Sequence, residues 1–320
     1  MRRARSSSGE GAGALAIAGL LAVAGCTAEV PDGGPEAVEV TGEFGQRPTV
    51  TFDVPLAVRE SSVTTVIDGQ GAELDDGDPV LVDWIALDGS TGEVIAESYT
   101  EAPEVFAFTR ESIGEDLYAA VSVSGVNDRV LYLEPATGRS GLPASNVVVV
   151  DVRPARAQGE PVEPQGGLPT VQLGEDGAPT VTFAGDAPPA GRVEQVLIKG
   201  SGAQVGAESE LIVQYHVVRW SDGGVEATTW GEDRLPERLD VSSTFPGLSA
   251  GLLDQTAGSQ VMLIVPPAEA LGTDTLVFVV DILVVVESGA EPSPTEPATP
   301  EPGTTPEPGS TSSPSPGPSA

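Results

Sequence analysis

Pro48-Thr49-Val50-Thr51-Phe52 recurs as Pro179-Thr180-Val181-Thr182-Phe183, an offset of 131 residues (48 to 179). Gly69-Gln70-Gly71-Ala72 recurs as Gly200-Ser201-Gly202-Ala203 at the same offset. That offset also carries Trp84 onto Tyr215, Tyr99 onto Trp230 and Val130 onto Val261. A constant spacing across separate anchors means that one domain is present twice. The copies are expected over 48–153 and 179–287. A chain of 320 residues has room for about two domains of ~100–150 residues each.

Each copy is rich in strand signals. Glu210 to Val218 is a long strand with Leu211, Val213, Tyr215 and Val217 on one face, closed by the turn Ser221-Asp222-Gly223-Gly224. Val193 to Ile198 is a shorter strand. Val80 to Leu87, followed by Asp88-Gly89-Ser90-Thr91-Gly92, repeats the pattern in the first copy. Only one short helical run per copy competes with these strands. The expected class is α+β, each domain a twisted antiparallel sheet of about five strands curled around a short helix.

The remaining segments read as connections. Residues 1–25 have a leader composition, with Arg2, Arg3 and Arg5 ahead of an apolar run from Ala12 to Ala24. Val23-Ala24-Gly25-Cys26 resembles the bacterial lipobox, whose cysteine is lipidated and becomes the mature N-terminus. Cys26 is the chain's one cysteine, so no internal disulfide can form. A lipid on Cys26 implies an extracytoplasmic protein tethered to the cell membrane. The alternative is an ordinary cleaved signal with an incidental cysteine. Residues 26–47 read as a spacer and 154–178 as a linker. Residues 288–320 are almost wholly Pro, Ser, Thr, Glu and Gly, a composition expected to stay disordered. The net charge of -33 argues against a nucleic-acid partner, since phosphate binding needs clustered Lys and Arg.

The second copy ends in the most informative stretch. Thr244-Phe245-Pro246-Gly247-Leu248 leads into a short helix with Gly251-Leu252. Ile264-Val265-Pro266-Pro267 closes a strand, Ala270-Leu271-Gly272 lies in a loop, and Thr275-Leu276-Val277-Phe278 opens the last strand. These pieces, in this order and spacing, resemble the FKBP-type peptidyl-prolyl isomerases. The matching family text is V-I-P-G-W, G-L, I-P-P, A-Y-G and T-L-V-F. The resemblance covers 193–287 well and 48–153 weakly, and implies tandem, divergent FKBP-like domains in a bacterial lipoprotein.

The resemblance also implies a pocket. Tyr215 holds the family's strand tyrosine, and Thr244 and Phe245 hold its V-I pair, whose second backbone N–H meets the substrate carbonyl. Phe278 holds the last-strand aromatic. Four positions depart from the pattern. Glu226-Ala227 stands for F-D, Leu248 for the floor tryptophan and Leu271 for the tyrosine of A-Y-G. Glu237 and Leu239 fall near the two aromatics of a further P-F-x-F wall. In the first copy Trp84, Ile95-Ala96 and Val148 depart further, while Phe106-Ala107-Phe108 keeps the F-x-F wall. Ordinary core packing is the competing reading for Tyr215, Phe278, Trp84 and Phe52.

Isomerisation about a prolyl bond needs no nucleophile, metal or cofactor. Its barrier of roughly 18–20 kcal/mol comes from amide resonance. A dry apolar site lowers it by holding the twisted amide better than the planar one. His216, the chain's one histidine, falls on the strand face opposite Tyr215, and no nucleophile-elbow sequence is present. Two functions stay open. One is a peptidyl-prolyl cis-trans isomerase of reduced activity, acting on proline-containing segments of secreted or cell-envelope proteins. The other is a non-catalytic binding or chaperone-like module of the same fold.

Overall fold

The computed structural model describes residues 33–138, 141–174, 177–183, 185 and 187–286. The expected leader, the lipidation position Cys26 and the tail from 288 lie outside them. The chain divides between Pro154 and Ala155 into two compact units. No helix among the described residues is long and apolar enough to cross a membrane.

The first unit contains β1 (Val38–Thr41), β2 (Thr49–Phe52), β3 (Ser62–Ile67), β4 (Pro79–Asp88), β5 (Val94–Glu97) and β6 (Glu104–Ala107). Then come α1 (Arg110–Ile113), α2 (Glu115–Val121), β7 (Arg129–Thr137) and β8 (Pro143–Arg153). Its antiparallel sheet has the order β3-β7-β8-β4-β5, with β6 also paired to β4. Strand alternation divides the apolar residues between two faces. Val80, Val82, Val130, Val150 and Val152 pack under the helices with Phe108, Ala120 and Val121. Ile85, Leu87, Leu131, Leu133, Val147 and Val149 pack under Val38, Leu56 and Val58, alongside the β1–β2 hairpin.

The second unit repeats this plan. It has β9 (Glu160–Pro161), β10 (Thr170–Leu173), β11 (Pro179–Thr182), β12 (Val193–Lys199), β13 (Glu210–Arg219), β14 (Val225–Thr228) and β15 (Glu237–Asp240). These are followed by α3 (Pro246–Leu252), β16 (Gln260–Val265) and β17 (Leu276–Val286). The sheet order is β14-β13-β17-β16-β12-β9, with β15 also on β13. The repeat holds to the level of pairing. Thr65 faces Val130 and Val196 faces Val261, each followed by a bulge. The isolated bridge Glu73–Gly125 returns as Gln204–Thr256.

Two expected connections are instead structural. Part of the spacer expected over 26–47 is β1, and part of the linker expected over 154–178 is β9 and β10. The hairpins β1–β2 and β10–β11 share one register at the 131-residue offset: Val40 faces Val50, and Val171 faces Val181. The physical reason lies in the sheets, whose outer faces are apolar and need cover. In the second unit Leu168, Val171, Val181 and Phe183 cover Val218, Met262, Ile264 and Val277. Pro and Gly are frequent in these stretches and mask the apolar residues that do this.

Helix α3 positions the site. Phe245 is extended (ψ 155°) and Pro246 takes the first helical position, where its missing N–H costs no hydrogen bond. Seven residues are too few to be helical alone, so packing must hold them. Leu248 and Leu252 are buried in the core with Leu211, Val213, Leu263 and Val280. Gly247 and Gly251 let the helix approach β16. A Cβ at 247 would stand 2.2 Å from Val265 Cγ1, and one at 251 would stand 2.8 Å from the Leu263 methyls. The chain leaves the helix at Leu253 (ψ 142°) and turns at Asp254 (φ +64°).

Candidate functional site

The second unit holds an apolar cavity of about 330 Å³ between the concave face of the sheet and the start of α3. Strand β13 supplies Val213, Tyr215 and Val217, the residues that alternation puts on one face. Strand β17 supplies Leu276, Phe278 and Val280 by the same rule. Thr244, Phe245 and Leu248 close the helical end, and Leu239 with Ala227 closes the sides. The Phe245 and Phe278 rings lie 5.4 Å apart, tilted by 45°.

Of the eight expected pocket residues, Tyr215, Glu226, Ala227, Thr244, Phe245, Leu248 and Phe278 line this one cavity. Leu271 does not. It is 79% exposed, at φ +52°, in a turn closed by Gly272 N–H donating to the Pro267 carbonyl (3.2 Å). That turn directs Leu271 outward, and its neighbour Ala270 packs against the core instead. Val213, Val217, Leu276 and Val280 also line it. Their signal in the sequence is the two-residue period that they share with Tyr215 and Phe278.

The polar groups stand at the mouth. Tyr215 Oη donates to Glu237 Oε2 at 2.8 Å. Burial, and then this bond to a carboxylate, push the tyrosine pKa up to about 12, so the hydroxyl is a neutral donor at every physiological pH. Glu226 accepts from Arg219 Nη1 at 2.6 Å and is half exposed, so its charge is paired and solvated rather than buried. Arg238 also lines the mouth, with its guanidinium on Glu210 Oε1 at 2.9 Å. Among the described residues no hydrogen bond uses the Phe245 backbone N–H, which precedes the first turn of α3. A free N–H beside an apolar cavity is a ready donor for a carbonyl oxygen.

His216 is half-buried, with Nδ1 3.2 Å from Thr228 Oγ1, and burial lowers its pKa. It takes no part in the cavity lining. In the first unit Trp84 and Phe106 pack against the core, and Phe108 stacks on Tyr118 at 4.7 Å with the planes 7° apart. The Arg110 guanidinium lies 4.3 Å from the centre of the Tyr118 ring. The F-x-F segment expected to form a pocket wall there is therefore at least partly core: Phe108 is 3% exposed.

No protein-family model matches the chain, and no curated protein does. Among solved structures it is similar to the three FKBP domains of wheat FKBP73. That match is 16% identical, covers 71% of this chain and 95% of that one, and has a TM-score of 0.29. It is similar also to FkpA from Escherichia coli, at 23% identity, 38% of this chain, 53% of that one and a TM-score of 0.28. A third is a peptidyl-prolyl cis-trans isomerase from Pseudomonas syringae pv. tomato, at 17% identity, 38% and 84% coverage and a TM-score of 0.28.

Proposed function

We propose that the second unit binds proline-containing segments of other proteins and speeds their cis-trans isomerisation, more slowly than a site with a full aromatic lining. The observation that carries this reading is the cavity walled by Tyr215, Phe245, Leu248 and Phe278, where the N–H of the lining residue Phe245 makes no hydrogen bond among the described residues. An apolar pocket of this kind receives a proline ring. Twisting the prolyl amide removes its resonance and reduces its polarity, so a dry, weakly polar surround favours the twisted state. The Phe245 N–H would hold the carbonyl of the segment while the C–N bond turns. No bond is broken and no proton moves, so no titrating group enters the reaction itself.

The reduced rate follows from three departures. Leu248 gives less ring area than the tryptophan of the resembling family. Ala227 gives no carboxylate, and Glu226 is committed to Arg219. Each ~1.4 kcal/mol of lost transition-state stabilisation slows turnover about tenfold. Those same departures favour the second reading, a module that binds and does not turn over. The setting belongs to the proposal: a lipid on Cys26 would hold the protein at the outer face of a cell membrane, where its clients would be secreted or envelope proteins. Replacing Cys26 with Ser should then abolish lipid labelling.

The test is NMR exchange on a Leu-Pro tetrapeptide in the presence of the full chain. Catalysed exchange that falls with Phe245→Ala supports the isomerase. Peptide binding without faster exchange supports the binding module. The triple change Glu226→Phe, Ala227→Asp, Leu248→Trp should raise the rate. If neither wild type nor triple variant binds the peptide, the reading is wrong.

A further inference from the structure

We propose that Glu237 is a specificity-determining residue that makes the pocket prefer prolines flanked by lysine or arginine; this rests on the reading of the cavity as a proline-segment site. Three charged side chains line the mouth. The Glu226 charge is matched by Arg219 at 2.6 Å, and that of Arg238 by Glu210 at 2.9 Å. Glu237 has no ion-pair partner among the described residues. Its one hydrogen-bond donor there is the neutral Tyr215 hydroxyl, which engages Oε2 and leaves Oε1 uncommitted. Arg234, whose charge reaches Tyr215, donates to the Thr228 carbonyl at 2.7 Å.

The arrangement is therefore a carboxylate held in place by a neutral donor, with no ion pair closed on it among the described residues, at the rim of an apolar cavity. A cationic side chain next to a bound proline would meet it. The first unit places a glutamate in the same way. Val82 faces Glu104 across β4 and β6 as Val213 faces Glu237 across β13 and β15. Glu104 Oε1 accepts from Trp84 Nε1 at 3.1 Å, where Glu237 accepts from Tyr215. Two different aromatic donors thus hold the same carboxylate position. The chain's net charge of -33 works in the same direction over longer range, by drawing cationic segments towards the surface.

An exposed ion pair is a modest contribution, so the expected preference is about two- to five-fold in affinity over a glutamate-flanked peptide at low ionic strength. The experiment titrates the full chain with Ala-Lys-Pro-Leu, Ala-Leu-Pro-Lys, their glutamate counterparts and Ala-Leu-Pro-Leu. Binding is read from the NMR signals of the Tyr215 and Phe278 rings. The lysine-to-glutamate affinity ratio should approach one in Glu237→Gln, which keeps an acceptor for the Tyr215 hydroxyl. It should also collapse in ~1 M salt, where the screening length is ~3 Å. If Ala-Leu-Pro-Leu binds and the ratio is one in the wild type, the assignment of Glu237 is overturned while the site stands. A ratio that survives in Glu237→Gln overturns it as well and locates the preference in the general field. If Ala-Leu-Pro-Leu does not bind, the proline site itself falls, and this inference with it.

Discussion

Tyr215 Oη lies 2.8 Å from Glu237 Oε2, and this bond joins the two strands that flank the mouth of the cavity. It ties the hydroxyl end of the Tyr215 ring to a second residue of the cavity lining. A phenol bonded to a carboxylate cannot easily ionise, because the phenolate would face a second negative charge. Burial is the larger cause of the raised pKa and the glutamate the next. Tyr215 should therefore remain mostly protonated at pH 11, where an ordinary tyrosine is mostly ionised. Replacing Glu237 with Gln should lower its pKa but leave it above 10. Ring-carbon NMR of tyrosine-labelled protein checks both, with Tyr215→Phe giving the assignment.

The two helix glycines should differ in what they tolerate. A methyl at 247 meets Val265 Cγ1 at 2.2 Å and the Glu269 carbonyl oxygen at 3.1 Å, and the latter is backbone that cannot yield locally. The three atoms nearest a methyl at 251 all belong to the Leu263 side chain, with its two methyls at 2.8 Å. Gly247→Ala should cost about 1–3 kcal/mol by overpacking and should tilt α3, carrying Phe245 out of place. Gly251→Ala should cost less, since Leu263 can change rotamer and alanine favours the helix by about 1 kcal/mol over glycine. Chemical denaturation of both variants gives the comparison, and equal losses would show that the helix has no such fixed seat.

Legibility in the sequence followed periodicity. The strands β12, β13, β16 and β17 each fall within about a residue or two of where their apolar runs end, because a sheet buried on both faces leaves an uninterrupted signal. The pocket positions came from the family resemblance; periodicity added only that Val213, Tyr215 and Val217 share a face. Hairpins β1–β2 and β10–β11 were half hidden. Only β2 and β11 stood out, by repeating, whereas β1 and β10 lie in segments whose Pro and Gly content reads as connection. Leu271 failed for a different reason. Its place in a motif says nothing of a backbone at φ +52°, and that angle decides which way the side chain leaves the turn. The pairing of Glu237 with Tyr215 depends on register between β13 and β15, which no local pattern encodes.

Register also explains a contrast inside the two units. Arg129 and Asp151 face each other on β7 and β8, and both side chains are fully buried. Asp151 accepts from Arg129 Nε at 2.6 Å and Nη2 at 2.7 Å, while the guanidinium also donates to the carbonyls of Gly42, Glu43 and Gln46 in the β1–β2 turn. The second unit puts Gln260 and Asp281 in the corresponding register. Truncating Arg129 to Ala should cost about 3–5 kcal/mol, because Asp151 would be left charged and dry and the turn would lose its anchor. The double change Arg129→Met, Asp151→Leu should cost less than the single one. A single truncation that barely moves the unfolding midpoint would mean that water reaches Asp151.

Asp281 gives the second unit a stability that depends on pH. Its carboxylate is 3% exposed and accepts from Gln260 Nε2 and the Ala157 N–H, both at 2.8 Å. Burial pushes its pKa up to about 6, against these two donors and Arg156, which pull it down. In the unfolded chain the same group titrates near ~3.9. The folded state therefore takes up the proton first, so acidification stabilises it. The gain begins as pH falls through about 6, is complete below the unfolded value, and is lost again as pH rises through about 6. Asp222 and Asp240, whose pKa values are lowered by hydrogen bonds from Arg219 and from Ser242 and Ser243, act in the opposite sense only below their ordinary range. They therefore act outside the window between pH 7 and ~4, while His216, whose pKa burial lowers, opposes Asp281 inside that window and does so alike in wild type and in an Asp281 variant. Between pH 7 and pH 5 wild-type protein should gain melting temperature relative to Asp281→Asn in the transition reported by Trp220 and Trp230. Asp281→Asn should lack that gain, because asparagine has no charge to desolvate. General relief of acidic repulsion would raise both proteins alike, so the difference between the two slopes is the decisive quantity. A variant slope equal to the wild-type slope would mean that Asp281 is hydrated and its burial carries no linkage.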